Sequence, residues 1–71
     1  AAMNEMTVRL LDALAQLEER ERDLIALKFA AGLNNRQIAE ITGLTPGNVG
    51  VILYRSVQRL RNILKVEESN A

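Results

Sequence analysis

Neither cysteine nor histidine occurs anywhere in the 71 residues. Without cysteine there is no disulfide to staple a small fold and no thiolate to hold a metal. Without histidine, the nucleophile–base pairs and proton relays built on imidazole are gone. A metal would have to be held by carboxylates alone. Tryptophan is absent too, and Phe29 and Tyr54 are the only aromatic residues, so any core must be aliphatic. No apolar run approaches the roughly 20 residues of a membrane span, and no secretory signal is visible. These absences lead to an expectation of a cytoplasmic domain with no cofactor, no metal, no small-molecule substrate and no catalysis. No nucleophile–base pair, phosphate loop or metal cluster is there for chemistry to use.

An excess of either charge is missing as well. Nine Lys and Arg balance nine Asp and Glu, which at first sight argues against a nucleic-acid partner. The distribution says more than the sum. Residues 1–45 carry five basic and seven acidic side chains, while residues 46–71 carry Arg55, Arg59, Arg61 and Lys65 against Glu67 and Glu68 alone. Both of those acids stand at the very end, so the last long segment is basic over its body.

Hydrophobic residues make up 48% of the chain, enough for one domain near the lower size limit for a self-sufficient core. Apolar positions at helical spacing predict an all-α fold of four helices. The first runs from Asn4 or Thr7 to about Gln16, with Val8, Leu10, Leu11, Leu14 and Leu17 on its packing face. The second opens at the charged run Glu18 to Asp23, whose acids favour a helix N-terminus and whose Arg20 and Arg22 allow short-range ion pairs on a solvated face. It continues through Leu24, Ile25, Leu27 and Phe29 to a left-handed cap at Gly32. Phe29 is the best candidate for the centre of the core, and Phe29→Ala is expected to cost about 3–5 kcal/mol. Ala1-Ala2 ahead of Met3 read as a cloning remnant, and residues 1–71 as a single domain cut from a longer chain. Residues 66–71 are expected to fray.

The informative stretch is Leu33 to Arg61. Two helices open there with the same device. Asn34 and Thr45 each offer a side-chain oxygen to the first-turn N–H groups. Gln37 completes a capping box with Asn34, while Asn48 is a weaker counterpart for Thr45. Leu33 with Ile38 and Leu44 with Val49 are placed as hydrophobic staples. Gly43 ends the first helix at about residue 42, and Pro46, the only proline, fits the first turn of the second. The second helix is expected to reach about Lys65, with Val49, Ile52, Leu53, Ser56, Leu60 and Leu64 in one stripe.

Helices joined by Gly43-Leu44-Thr45 must cross sharply, and Ala39 permits a close approach. That is the helix-turn-helix pattern, whose second helix commonly enters the DNA major groove. Its first turns carry Gly47 and Gly50, each costing up to about 1 kcal/mol against Ala. Bare backbone there either admits a phosphate or base edge closely or is merely tolerated at a helix end. Asn48 is suited to adenine, Val51 to a thymine methyl, and Arg55 to phosphate or guanine. Tyr54 is either a phosphate donor or a partly buried filler.

Three blocks carry a resemblance: the opener Leu17 to Asp23, the block Gly32…Ile38-Ala39…Gly43, and the ending Val49…Leu53-x-Arg55…Leu60-Arg61. Over about residues 10–64 the chain resembles region 4 of bacterial sigma factors, especially the extracytoplasmic-function (ECF) type. The resemblance implies a domain that reads the upstream (−35) promoter element through its last helix. It implies docking on the β flap of RNA polymerase by the apolar faces of the first two helices, and sequestration by an anti-sigma factor. Thr45, Gly47, Asn48, Val51 and Arg55 match the reading positions, and Arg36 and Gln37 match phosphate contacts. Many relatives carry Lys or Arg directly after the Val49 position and at the Ile52 position. Gly50 and Ile52 here leave fewer charges for DNA. A LuxR-type response-regulator domain shares the four-helix plan, and a helical protein-interaction module that never touches DNA is the alternative from another class.

Overall fold

The computed structural model describes the backbone of residues 3–69 and the side chains of residues 3–66. Among them are four α-helices and no strands: α1 (Glu5–Ala15), α2 (Glu19–Ile25), α3 (Asn35–Thr42) and α4 (Pro46–Ser69). A π-helical turn over Ala26–Ala30 continues α2. Residues 1–2 and 70–71 lie outside the described residues. So, for its last two positions, does the expected fraying of 66–71. The backbone of α4 is helical through Ser69, four residues past the predicted end at Lys65.

The predicted termini follow the local chemistry closely. Asn4, rather than Thr7, caps α1, its Oδ1 accepting from the Thr7 amide at 2.8 Å. Asn34 and Gln37 form the reciprocal capping box, each accepting from the other's backbone N–H at 2.9 Å. Gly32 and Gly43 take φ of 72° and 78°, the left-handed region that costs a residue with a Cβ about 1–2 kcal/mol. Gly43 thereby donates its N–H to Ala39 O and turns the chain out of α3.

The core lies where α2, α3 and α4 meet. Leu24, Ile38, Ala39, Val49 and Leu53 are buried together, with Ile25, Leu27, Leu33, Leu44 and Ile52 packed around them. Leu33 and Leu44, the outer halves of the two staples, are thus both drawn onto this cluster.

Phe29 is not part of it. Its side chain is 66% exposed, which corrects the expectation that it centres the core. The reason is backbone register. Helical spacing assumed 3.6 residues per turn as far as Gly32, whereas the chain widens into a π turn in which Ala31 N–H reaches Ala26 O. The extra residue in that turn breaks the period on which Phe29 was placed. Leu24, in the regular part of α2, holds the central position instead.

Helix α1 also departs from expectation. It is anchored by the small Ala13, fully buried, and by Leu17 just past its end. Val8, Leu10 and Leu11 are 39–49% exposed, so the predicted packing face is only partly covered. Arg22 makes no pair within its own run. Its guanidinium donates to the carbonyls of Leu17 and Ala15, satisfying acceptors at the end of α1 that the helix leaves open.

Candidate nucleic-acid and protein interfaces

The N-terminus of α4 is built by Thr45. Its Oγ1 accepts from the Asn48 amide at 3.1 Å, and its carbonyl accepts from Val49 N–H at 3.0 Å. Pro46 occupies the first helical position, where its missing N–H costs nothing. Since Val49, Leu53 and Ser56 are buried, helical spacing turns the opposite side of α4 outward. Gly47, Asn48, Val51, Tyr54 and Arg55 are all exposed there.

Each residue singled out from the sequence is exposed, but they are not equally free. The guanidinium groups of Arg36, at the start of α3, and Arg55 make no hydrogen bond or ion pair among the described residues. Gln37 is partly committed: its Oε1 holds the Asn34 amide, leaving only its side-chain NH2 to donate elsewhere. Thr45 spends an acceptor lone pair on the cap and keeps its hydroxyl proton. The two glycines also differ. A methyl group added at Gly47 meets no atom within 4 Å, and one at Gly50 meets Asn35 Nδ2 at an ordinary 3.5 Å. Neither has positive φ, so nothing in the folded chain requires glycine at 47.

One choice the sequence left open is decided, and one feature lay beyond it. Tyr54 is 67% exposed, on the outward side of α4 beside Val51 and Arg55, and is no filler. Glu21, placed on a solvated face by its charged neighbours, is instead 8% exposed. Its carboxylate accepts from Arg59 Nη1 at 2.6 Å and from the Glu18 amide at 3.0 Å; Ser56 Oγ lies 3.3 Å away but has a single proton and a closer acceptor, the Ile52 carbonyl at 2.6 Å. The only hint in the sequence was Ser56, a small polar residue in the apolar stripe of α4.

Away from α4's outward face lies an apolar groove of about 880 Å³. Leu10, Leu11, Leu14 and Ala15 of α1 form one wall, Ile25, Ala26, Phe29 and Ala30 another, and Val57 and Leu60 of α4 its floor. Exposed Phe29, Leu10 and Leu11 therefore belong to one continuous concave surface. Such a patch on a small domain is what a protein interface needs and what a lone surface side chain does not explain.

A short helix joined at a glycine turn to a long, capped second helix that presents a polar outer face defines a helix-turn-helix domain. The model of the family "Sigma-70, region 4" matches residues 7–60, and the chain belongs to that family. It is 40% identical over 48 residues to the ECF RNA polymerase sigma factor ShbA of Streptomyces griseus subsp. griseus, covering 68% of this chain and 25% of that protein. To the ECF RNA polymerase sigma factor BldN of Streptomyces coelicolor it is 31% identical over 55 residues, 78% of this chain and 21% of that one. The domain is thus of the ECF type, and the response-regulator alternative is set aside. The chain spans about a quarter of the length of these curated relatives. No solved structure matches it significantly.

Proposed function

We propose that the chain is the part of an ECF sigma factor that binds the upstream (−35) promoter element and so helps direct RNA polymerase to promoters in the cytoplasm. One observation carries the reading: the outer face of α4 is open to solvent from its Thr45 cap through Arg55, with the Arg55 guanidinium unpaired among the described residues. Asn48 and Val51 are the base readers, Arg55 and Arg36 hold phosphate or guanine, and Thr45 and Gln37 donate to the flanking backbone. Gly47 lets the helix N-terminus come close to the duplex. Tyr54 joins this set on its exposure.

The groove between α1, the π turn and α4 is the place for the polymerase. An apolar helix such as one on the β flap fits it as an amphipathic helix fits a hydrophobic groove. An anti-sigma factor that covers the same groove excludes the polymerase by competition. No group for catalysis is assigned.

A selection of bound sequences from a promoter library, with the chain and the polymerase together, tests the proposal. Enrichment of one upstream element is expected, with Arg55→Ala lowering the amount of every sequence bound. A library returned without any preference, while the chain still binds polymerase, would leave the protein-interaction reading in its place.

A further inference from the structure

We infer that Glu21 withholds Arg59 from DNA, so that one buried carboxylate limits how many phosphates the reading helix engages. This rests on the DNA-binding reading of α4 and adds to it a restraint on affinity. Arg59 stands one turn beyond Arg55 on the same side of α4, since residues four apart are neighbours on a helix. Its side chain remains 48% exposed, so packing alone does not hide it from a duplex. What holds it is the carboxylate 38 residues earlier in the chain, at 2.6 Å.

The surroundings of the carboxylate make that hold persistent. The Glu18 amide donates to the Glu21 carboxylate and Ser56 packs against it at the junction of α2 and α4, and the side chain itself is 10% exposed. Were Arg59 to swing out to a phosphate, a nearly buried negative charge would lose its only cation among the described residues, which costs far more than breaking an exposed pair. Arg55 and Arg61 have no such tether among the described residues. The helix therefore brings fewer charges to DNA than its sequence counts. Phosphate affinity, which is the same for every sequence, is held down relative to base reading.

The salt dependence of binding to a fluorescent duplex of random sequence, followed by anisotropy between about 50 and 200 mM salt, reads this directly, because each phosphate engaged contributes about 0.9 to the slope. Glu21→Gln keeps the shape and an acceptor for the Glu18 amide but removes the charge. Its slope is expected to steepen by about 0.9, with tighter binding at low salt. Arg59→Gln alone and the pair Glu21→Gln/Arg59→Gln are expected to keep the parent slope. The double variant carries no unpaired buried charge, so it remains informative if either single variant melts early. An unchanged slope for folded Glu21→Gln, or a shallower one for either variant lacking Arg59, overturns the inference. A parent chain that binds no duplex in a salt-dependent way overturns the DNA reading first, and this inference with it.

Discussion

Leu24 and Phe29 show how much a residue's place decides what its loss does. Leu24 is 1% exposed at the centre of the cluster, and Leu24→Ala should cost about 2–5 kcal/mol. Small domains have only about 5–15 kcal/mol to lose. Circular dichroism is expected to find Leu24→Ala largely unfolded near body temperature. Phe29→Ala, expected from spacing alone to be as damaging, removes a side chain that is mostly in water. It should change stability by no more than about 0.5 kcal/mol while weakening capture of a helical peptide from the polymerase flap. A melting curve and a peptide titration on the same sample separate the two effects. Among the residues proposed to face DNA, Arg55→Ala should reduce binding to all sequences and make the salt slope shallower by about 0.9. Asn48→Ala should relax preference at one base pair, by about 1–3 kcal/mol. A promoter-library selection whose preferences do not move with the second variant removes Asn48 from the reading set.

The elements owe their ends to single side chains, and these were plain in the sequence. Asn34, Gln37, Gly43, Thr45 and Pro46 act within four residues of themselves, through caps and turns whose geometry depends on no distant partner. Asn34→Ala should therefore cost about 1 kcal/mol, and hydrogen exchange should show the loss concentrated in the first turn of α3. Gly47 gives the opposite sign. Its place in α4 is open on all sides and its backbone is ordinary helix. Gly47→Ala is expected to raise the melting temperature by about 2–4 °C and, if the helix end approaches the duplex, to weaken DNA binding. Higher stability with undiminished binding would show that this glycine serves neither fold nor site. The π turn, by contrast, left no mark in the sequence: Ala26–Ala30 contain no glycine or proline, and helical periodicity runs through them undisturbed.

At the scale of the molecule, the two faces differ in chemistry. The outer side of α4 is polar with few free cations, and the groove on the far side of α2 is apolar. With two or three phosphate contacts, binding to DNA should fall roughly 10–40-fold between 50 and 200 mM salt, which a titration at a few ionic strengths will check. On the proposed reading, an assembly that also engages the groove with polymerase would supply the missing affinity as effective concentration rather than as new contacts to DNA. Neutral net charge, which seemed to speak against a nucleic-acid partner, fits a reader that acts only within such an assembly.

Caps, turn glycines, the buried stripe of α4 and the exposed residues opposite it were settled by the order of amino acids, because each depends on spacing along a single helix or on a side chain reaching its own backbone. The tertiary structure decided what spacing cannot express. It chose Leu24 over Phe29, left half of α1's apolar face open as one wall of a groove, and buried Glu21 against a serine and an arginine more than thirty residues away. Those outcomes depend on which helices meet and at what register; for Phe29, a one-residue widening at Ala26–Ala30 moved it off the expected period.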